Sequence, residues 1–118
     1  MIIKRFNELQ AGPPHPGQKN MCGFPLHKTE YFFMGLTHYL PGGGVPETSP
    51  NARADSIITY FVLDGELTIE DKNPITLGKY DSVSLSIGEC NQLKNNTNAV
   101  TTVLVVIGGP NAGPKHLE

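Results

Sequence analysis

The chain predicts an all-β domain, a sandwich or closed barrel of short antiparallel strands. Three observations predict it. Two apolar runs, Ile57–Leu63 and Leu67–Ile69, flank Asp64-Gly65, a pair suited to the positive-φ positions of a type I′ hairpin turn. The 13 glycines and 10 prolines fall between short apolar runs, as turns between strands do. No window of about 11 residues or more keeps a 3.6-residue apolar period free of Gly and Pro, so little helix is expected.

The elements follow in order. Residues 2–6 read as a short strand. Ala11–Gly17 is an extended arm, because its prolines cannot donate to a ladder. Cys22–His27 and Tyr31–Leu40 read as strands, the second ended by Pro41-Gly42-Gly43-Gly44. Val45–Asp55 is a polar loop, and the hairpin follows it. Asp71-Lys72-Asn73-Pro74 is a turn. Further short strands fall near 75–77, 82–86, 90–94 and 100–107, separated by Gly78, Gly88 and Asn95-Asn96. The tail 108–118 reads as loose. The organisation is one domain over 1–118, with an arm over 1–20 and the barrel core over 31–107. Thr101–Ile107 and Tyr60–Leu63 are apolar on both faces. One face suits a barrel interior; the other needs cover, so a homodimer is expected.

Composition bounds the function. The chain has 118 residues, with 9 Lys and Arg against 11 Asp and Glu. No basic run or stripe marks a nucleic-acid surface. No apolar run approaches the ~18 residues of a membrane helix. The N-terminus MIIKRFNELQ lacks a signal-peptide apolar stretch. A cytoplasmic protein is expected. Cys22 and Cys90 form no CxxC pair and too small a set for a disulfide scaffold, so both read as reduced thiols. Asn95-Asn96-Thr97 matches a glycosylation sequon and reads as a coincidence in a polar turn.

Two segments carry a family resemblance. Pro41-Gly42-Gly43-Gly44 and, downstream, Tyr60-Phe61-Val62-Leu63-Asp64-Gly65-Glu66-Leu67-Thr68-Ile69 look like the opening and close of one motif. Gly78–Asn95 follows a second motif in spacing, with Gly78, Gly88 and Asn95 in place, Asp81 in the turn and Ser86 where a proline stands in the pattern. Together the chain resembles the cupins, small jelly-roll barrels also described as a double-stranded β-helix. In that family three imidazoles and one carboxylate hold a metal inside the barrel. Counting back from Gly65, the resemblance puts the carboxylate position at Ile58. It puts two histidine positions among Asn51, Ala52, Arg53 and Ala54, and the third at Asn91. No histidine occurs between Tyr39 and Lys115, so all four ligands are replaced. Asn is a poor transition-metal ligand and Ile is none. No metal and no other cofactor is expected.

The candidate residues therefore serve a small-molecule ligand. Period-two alternation groups His38 with Phe32, Met34, Leu36 and Leu40, where an imidazole can act as an acid or base. His27 lies near a strand end, within reach of a barrel mouth. Tyr60 shares parity with Ile58 and Val62 and is expected inward as a pocket wall with a phenol donor. Asn91 would point into the same cavity. Arg53, in the mouth loop, can clamp a carboxylate or phosphate. His38 and Tyr60 form the one evident catalytic pair. The expectation is a binding barrel of unassigned activity. Its alternatives are a metal-free isomerase or lyase for a small acid or sugar, and a metalloenzyme with ligands moved to His27, His38, Glu47 or Cys90.

Overall fold

The computed structural model describes residues 1–12, 19–44, 56–87, 89 and 92–109. Its described strands are β1 (Lys19–Lys28), β2 (Phe32–Gly44), β3 (Ile57–Asp64), β4 (Leu67–Glu70), β5 (Ile75–Leu77), β6 (Ser82–Leu85), β7 (Gln92–Lys94) and β8 (Thr101–Gly108). They form one continuous sheet in the order β5-β4-β7-β2-β8-β3-β6, with β1 on β2 and every pairing antiparallel. The fold is an all-β jelly-roll barrel, as the turn spacing predicts. No described helix is long and apolar enough to cross a membrane.

The sheet folds on itself where β2 changes partners. Residues 32–39 of β2 pair with β8, while Gly44 pairs with Lys94 of β7. This makes a larger half, β1-β2-β8-β3-β6, facing a smaller half, β7-β4-β5. The glycine run expected to end the strand instead carries it across the fold, through Gly44. The reason is close backbone approach. A side chain at Gly44 would sit 2.6 Å from the Leu93 carbonyl oxygen, and one at Gly43 would strike the Asn20 carbonyl. Asn95 locks the junction. Its amide donates to the carbonyls of Tyr39 and Ala99, and its carbonyl accepts from the Thr97 backbone N–H and hydroxyl. It is fully buried, so the sequon match marks a structural turn.

The expected β3–β4 hairpin does not form. β3 pairs with β6 and β8, and β4 with β5 and β7. Asp64-Gly65-Glu66 is a corner that passes the chain between the two halves. Only Gly65 has positive φ there, at 87°. Thr101 fixes the corner, its hydroxyl donating to the Glu66 carbonyl and accepting from the Glu66 N–H. Both runs are apolar on their inward face, and burying them against opposite halves of the barrel outweighs direct pairing. Residues 2–6 form no strand; a 3-10 turn follows at Phe6–Glu8. The Ala11–Gly17 arm falls largely outside the described residues, and the Val45–Asp55 loop wholly so.

Inward side chains alternate along each long strand: Phe33 and Tyr39 on β2, Ile58, Tyr60 and Val62 on β3, Val103 and Ile107 on β8. Leu67, Ile69 and Leu93 meet them from the smaller half. Each such burial stabilises by roughly 1.5–3 kcal/mol.

Candidate functional site

The interior divides into levels set by strand register. At one level Phe33, Ile107, Ile58 and Leu85 stand in a row across β2, β8, β3 and β6. All four are buried, none above 5% exposed. Ile58 is the position where the resemblance puts a carboxylate. It is sealed among hydrocarbon, where a divalent cation would find no donor and a steep desolvation cost. Among the described residues no three His, Cys, Asp or Glu side chains converge. The described residues do not fit the metal of the resemblance.

The next level is Gly35, Val105, Tyr60 and Val83. Tyr60 faces inward with Ile58 and Val62, and is 3% exposed. Its side chain is not without a partner. Gly35 leaves room for the Phe33 ring, which lies 2.9 Å from where a Gly35 side chain would begin. Below it, Thr37 pairs with Gly23 of β1 and Val103 of β8. Here the inner face opens. Thr37 points inward by parity yet is partly exposed, and Gly23 is exposed. A side chain at Gly23 would meet no atom within 4 Å. Next comes Tyr39, 1% exposed. Burial pushes its phenol well above the ordinary tyrosine range. Among the described residues neither the Thr37 nor the Tyr39 hydroxyl makes a hydrogen bond. The inner face therefore combines a dry apolar level, an open floor at Gly23 and Thr37, and phenols at Tyr60 and Tyr39.

The other expected residues lie elsewhere. His38 faces outward, against Phe24 and Phe6 at ring-centroid distances of 5.4 and 5.8 Å. β2 is apolar on both faces, so alternation grouped its side chains correctly but did not say which group turned inward. His38 and Tyr60 thus lie on opposite faces of the sheet and form no catalytic pair. His27 follows a register shift in β1 and pairs with Met34. It lines an open cleft of about 320 Å³ with Ile2, Lys4 and Pro25, outside the barrel. The β2 partner of His27, Met34, lies four positions from His38, about 13 Å of strand, too far for one metal. Arg53, Asn91, Glu47 and Cys90 lie outside the described residues. Sequence reading passed over Gly23, Thr37 and Tyr39. The parity of Tyr39 with Phe33 was the available signal, with Gly35 between them as the mark of a crowded inner face.

Comparison with known proteins bears on this arrangement. No family model matches the chain. Over 84 residues it is 40% identical to the protein named Beta-D-galactosidase Rv1717 of Mycobacterium tuberculosis, covering 70% of this chain and 69% of that one. Among solved structures, the polyketide cyclase RemF of Streptomyces resistomycificus superposes with TM-score 0.78 at 16% identity, over 98% of this chain and 88% of that one. A cupin of Shewanella frigidimarina, described as RmlC-like, gives TM-score 0.75 at 10% identity, over 98% and 94%. A Thermotoga maritima protein titled a predicted oxalate decarboxylase gives 0.76 at 18%, over 92% and 99%. At these identities the structures share the fold. With the barrel and the M. tuberculosis relative taken together, this chain has the cupin fold and belongs to the family of that relative.

Proposed function

We propose that this cupin binds a small, neutral, hydroxyl-bearing organic molecule on the inner face of the larger half-sheet, without a metal. The carrying observation is the open floor at Gly23 and Thr37 beside a level sealed around Ile58. The described inward side chains are apolar or hydroxylic, and none is charged. Such a lining suits a ligand that offers hydroxyls and apolar ring faces, and disfavours a small acid. Arg53 and Asn91 remain the further polar contacts expected from the sequence.

The name of the M. tuberculosis relative supports a sugar as that molecule, and a β-galactoside first. It also favours a second reading, hydrolysis of the galactoside. Glycoside cleavage ordinarily needs two carboxyl groups across the bond. The described inward residues carry none, so in this chain the carboxyls would come from outside them, with Glu47 and Asp55 the first to test.

The test is thermal stabilisation by D-galactose, methyl β-D-galactoside and lactose, because a ligand of the native state raises its melting temperature. Gly23→Leu fills the floor at a place with room for a side chain. The reading expects stabilisation of the parent protein and its loss in Gly23→Leu. Equal stabilisation of both proteins would place the ligand elsewhere. No stabilisation by any of these sugars at tens of millimolar would contradict a sugar ligand. Release of 4-nitrophenol from its β-galactoside, abolished by Glu47→Gln or Asp55→Asn, would establish the hydrolytic reading.

A further inference from the structure

We propose that the cleft at the end of β1, outside the barrel, binds a soluble phosphate monoester that carries a small apolar group. This site shares no residue with the inner face proposed for a sugar. Its walls come from the N-terminal segment and the end of β1. Ile2, Pro25 and Leu26 supply an apolar floor, and Lys4, His27 and Lys28 stand around it. The cleft offers about 320 Å³, at the small end of the range for small-molecule sites.

A bulge in β1 builds the site. The register passes from Pro25 opposite Gly35 to His27 opposite Met34, which leaves Leu26 as the extra residue. In a regular strand, residues 25 and 27 would share one face, the inner one to which Gly35 belongs. The bulge instead turns His27 to the outer face, with Met34. Two contacts hold the N-terminal segment alongside. Phe6 meets Phe24 edge-on, with ring centroids 5.1 Å apart. The Gly12 N–H donates to the Gly23 carbonyl at 2.7 Å. Ile2 and Lys4 come to the same end of β1 as His27 and Lys28.

The lining selects an anion. Every polar side chain on it can donate a hydrogen bond, and none is acidic. The Thr29 hydroxyl, also on the lining, accepts from the Tyr31 N–H at 3.3 Å, so its own hydrogen remains for an acceptor. The whole chain has a net charge of −2, so the cationic cluster is local and not a general basicity. Two ammonium groups match the roughly −1.5 to −2 charge of a phosphate monoester at neutral pH better than the single charge of a carboxylate. The apolar floor favours an ester over inorganic phosphate, because it takes the organic group out of water. Both lysines are exposed, so each contributes modestly and the affinity should be about millimolar.

Titration of the isotope-labelled full chain with phenyl phosphate, followed by amide NMR shifts, tests the site. Saturable shifts are expected at residues 2–4 and 26–29, half-complete at about 1 mM, with inorganic phosphate binding about fivefold or more weakly. Lys4→Gln and Lys28→Gln should each weaken phenyl phosphate about two- to fivefold, and together about tenfold. Both positions are exposed, so these variants should fold as the parent does. Ile2→Ser should weaken phenyl phosphate and leave inorganic phosphate unchanged. Absence of saturation by about 20 mM overturns the proposal, as does a double lysine variant that binds as tightly as the parent. So do saturable shifts centred on Gly23 and Thr37, which would put the phosphate on the inner face. Sedimentation with vesicles containing phosphatidic acid, without saturable binding of phenyl phosphate, would assign the cleft to a lipid headgroup and likewise overturn it.

Discussion

Asn95→Ala should cost roughly 4 kcal/mol of stability, most of what a small domain has to spare. The Asn95 side chain makes contacts of 2.8 Å to the Tyr39 carbonyl, 2.7 Å to the Ala99 carbonyl, 2.9 Å from the Thr97 N–H and 2.7 Å from the Thr97 hydroxyl. The Thr97 hydroxyl also lies 3.1 Å from the Ala99 carbonyl, so its single hydrogen is shared. That leaves three full bonds and a part of a fourth, at about 1 kcal/mol each. Leaving a buried carbonyl unpaired adds about 1 kcal/mol or more. The loss falls where the two halves of the barrel join, because Asn95 also exchanges backbone bonds with Gly42 and Gly43. Urea unfolding followed by circular dichroism measures it. With a slope of about 2 kcal/mol/M, the midpoint should drop by about 2 M. Asn95→Asp separates donors from acceptors. It keeps an acceptor for Thr97, loses both donors and aims a carboxylate at two carbonyls. It should be at least as destabilised as the alanine variant at neutral pH, and recover in part when acid protonates the carboxylate. A loss under about 1 kcal/mol in Asn95→Ala would refute the assignment of Asn95 as the lock of the junction.

Other outcomes follow from the same geometry. Gly65→Ala puts a methyl 2.7 Å from the Thr101 hydroxyl oxygen at a φ of +87°, and should cost about 3 kcal/mol in the same assay, from left-handed strain and overpacking. Tyr39 is raised by burial, so its contribution is intact below about pH 10, where both folded and unfolded forms are protonated. Above it the unfolded chain ionises first, and stability falls by up to about 1.4 kcal/mol per pH unit. Tyr39→Phe should remove that part of the alkaline loss and, at pH 7, change stability by less than about 1 kcal/mol, because its hydroxyl bonds to no described residue. A large loss at pH 7 would show that the phenol has a partner. Gly23→Leu should keep the parent's urea midpoint while losing sugar-dependent stabilisation; a collapsed midpoint would mean the floor beside Thr37 is closed.

The all-β class was legible because Gly, Pro and short apolar runs report turns locally. The inward facing of Tyr60 was legible because β3 carries Ile58, Tyr60 and Val62 on one parity and the resemblance oriented that parity. The pairing of β3 with β4 was not. Asp64-Gly65 satisfies a tight hairpin and a corner between sheets equally well at the level of residue types. The choice is made by Thr101, 35 residues from Glu66. His38 failed for a related reason: with apolar residues on both faces of β2, alternation leaves the inward face undecided. What tips it is Phe33 folding over Gly35, a tertiary contact. The extra length of β2 escaped because glycines read as a stop, whereas here they admit a close crossing at Leu93 and Asn20.

The most direct test of the central claim is the metal content of untagged protein, by mass spectrometry, after exchange into chelator-free buffer. Ile58 lies in a level sealed by Phe33, Ile107 and Leu85, and no histidine occurs between Tyr39 and Lys115. The account therefore expects under about a tenth of an equivalent of any transition metal, with no change in melting temperature when zinc or manganese is added. Near-stoichiometric metal that survives Ile58→Val but is lost on His27→Ala or His38→Ala would contradict it, and would place the chemistry of this barrel outside its inner face.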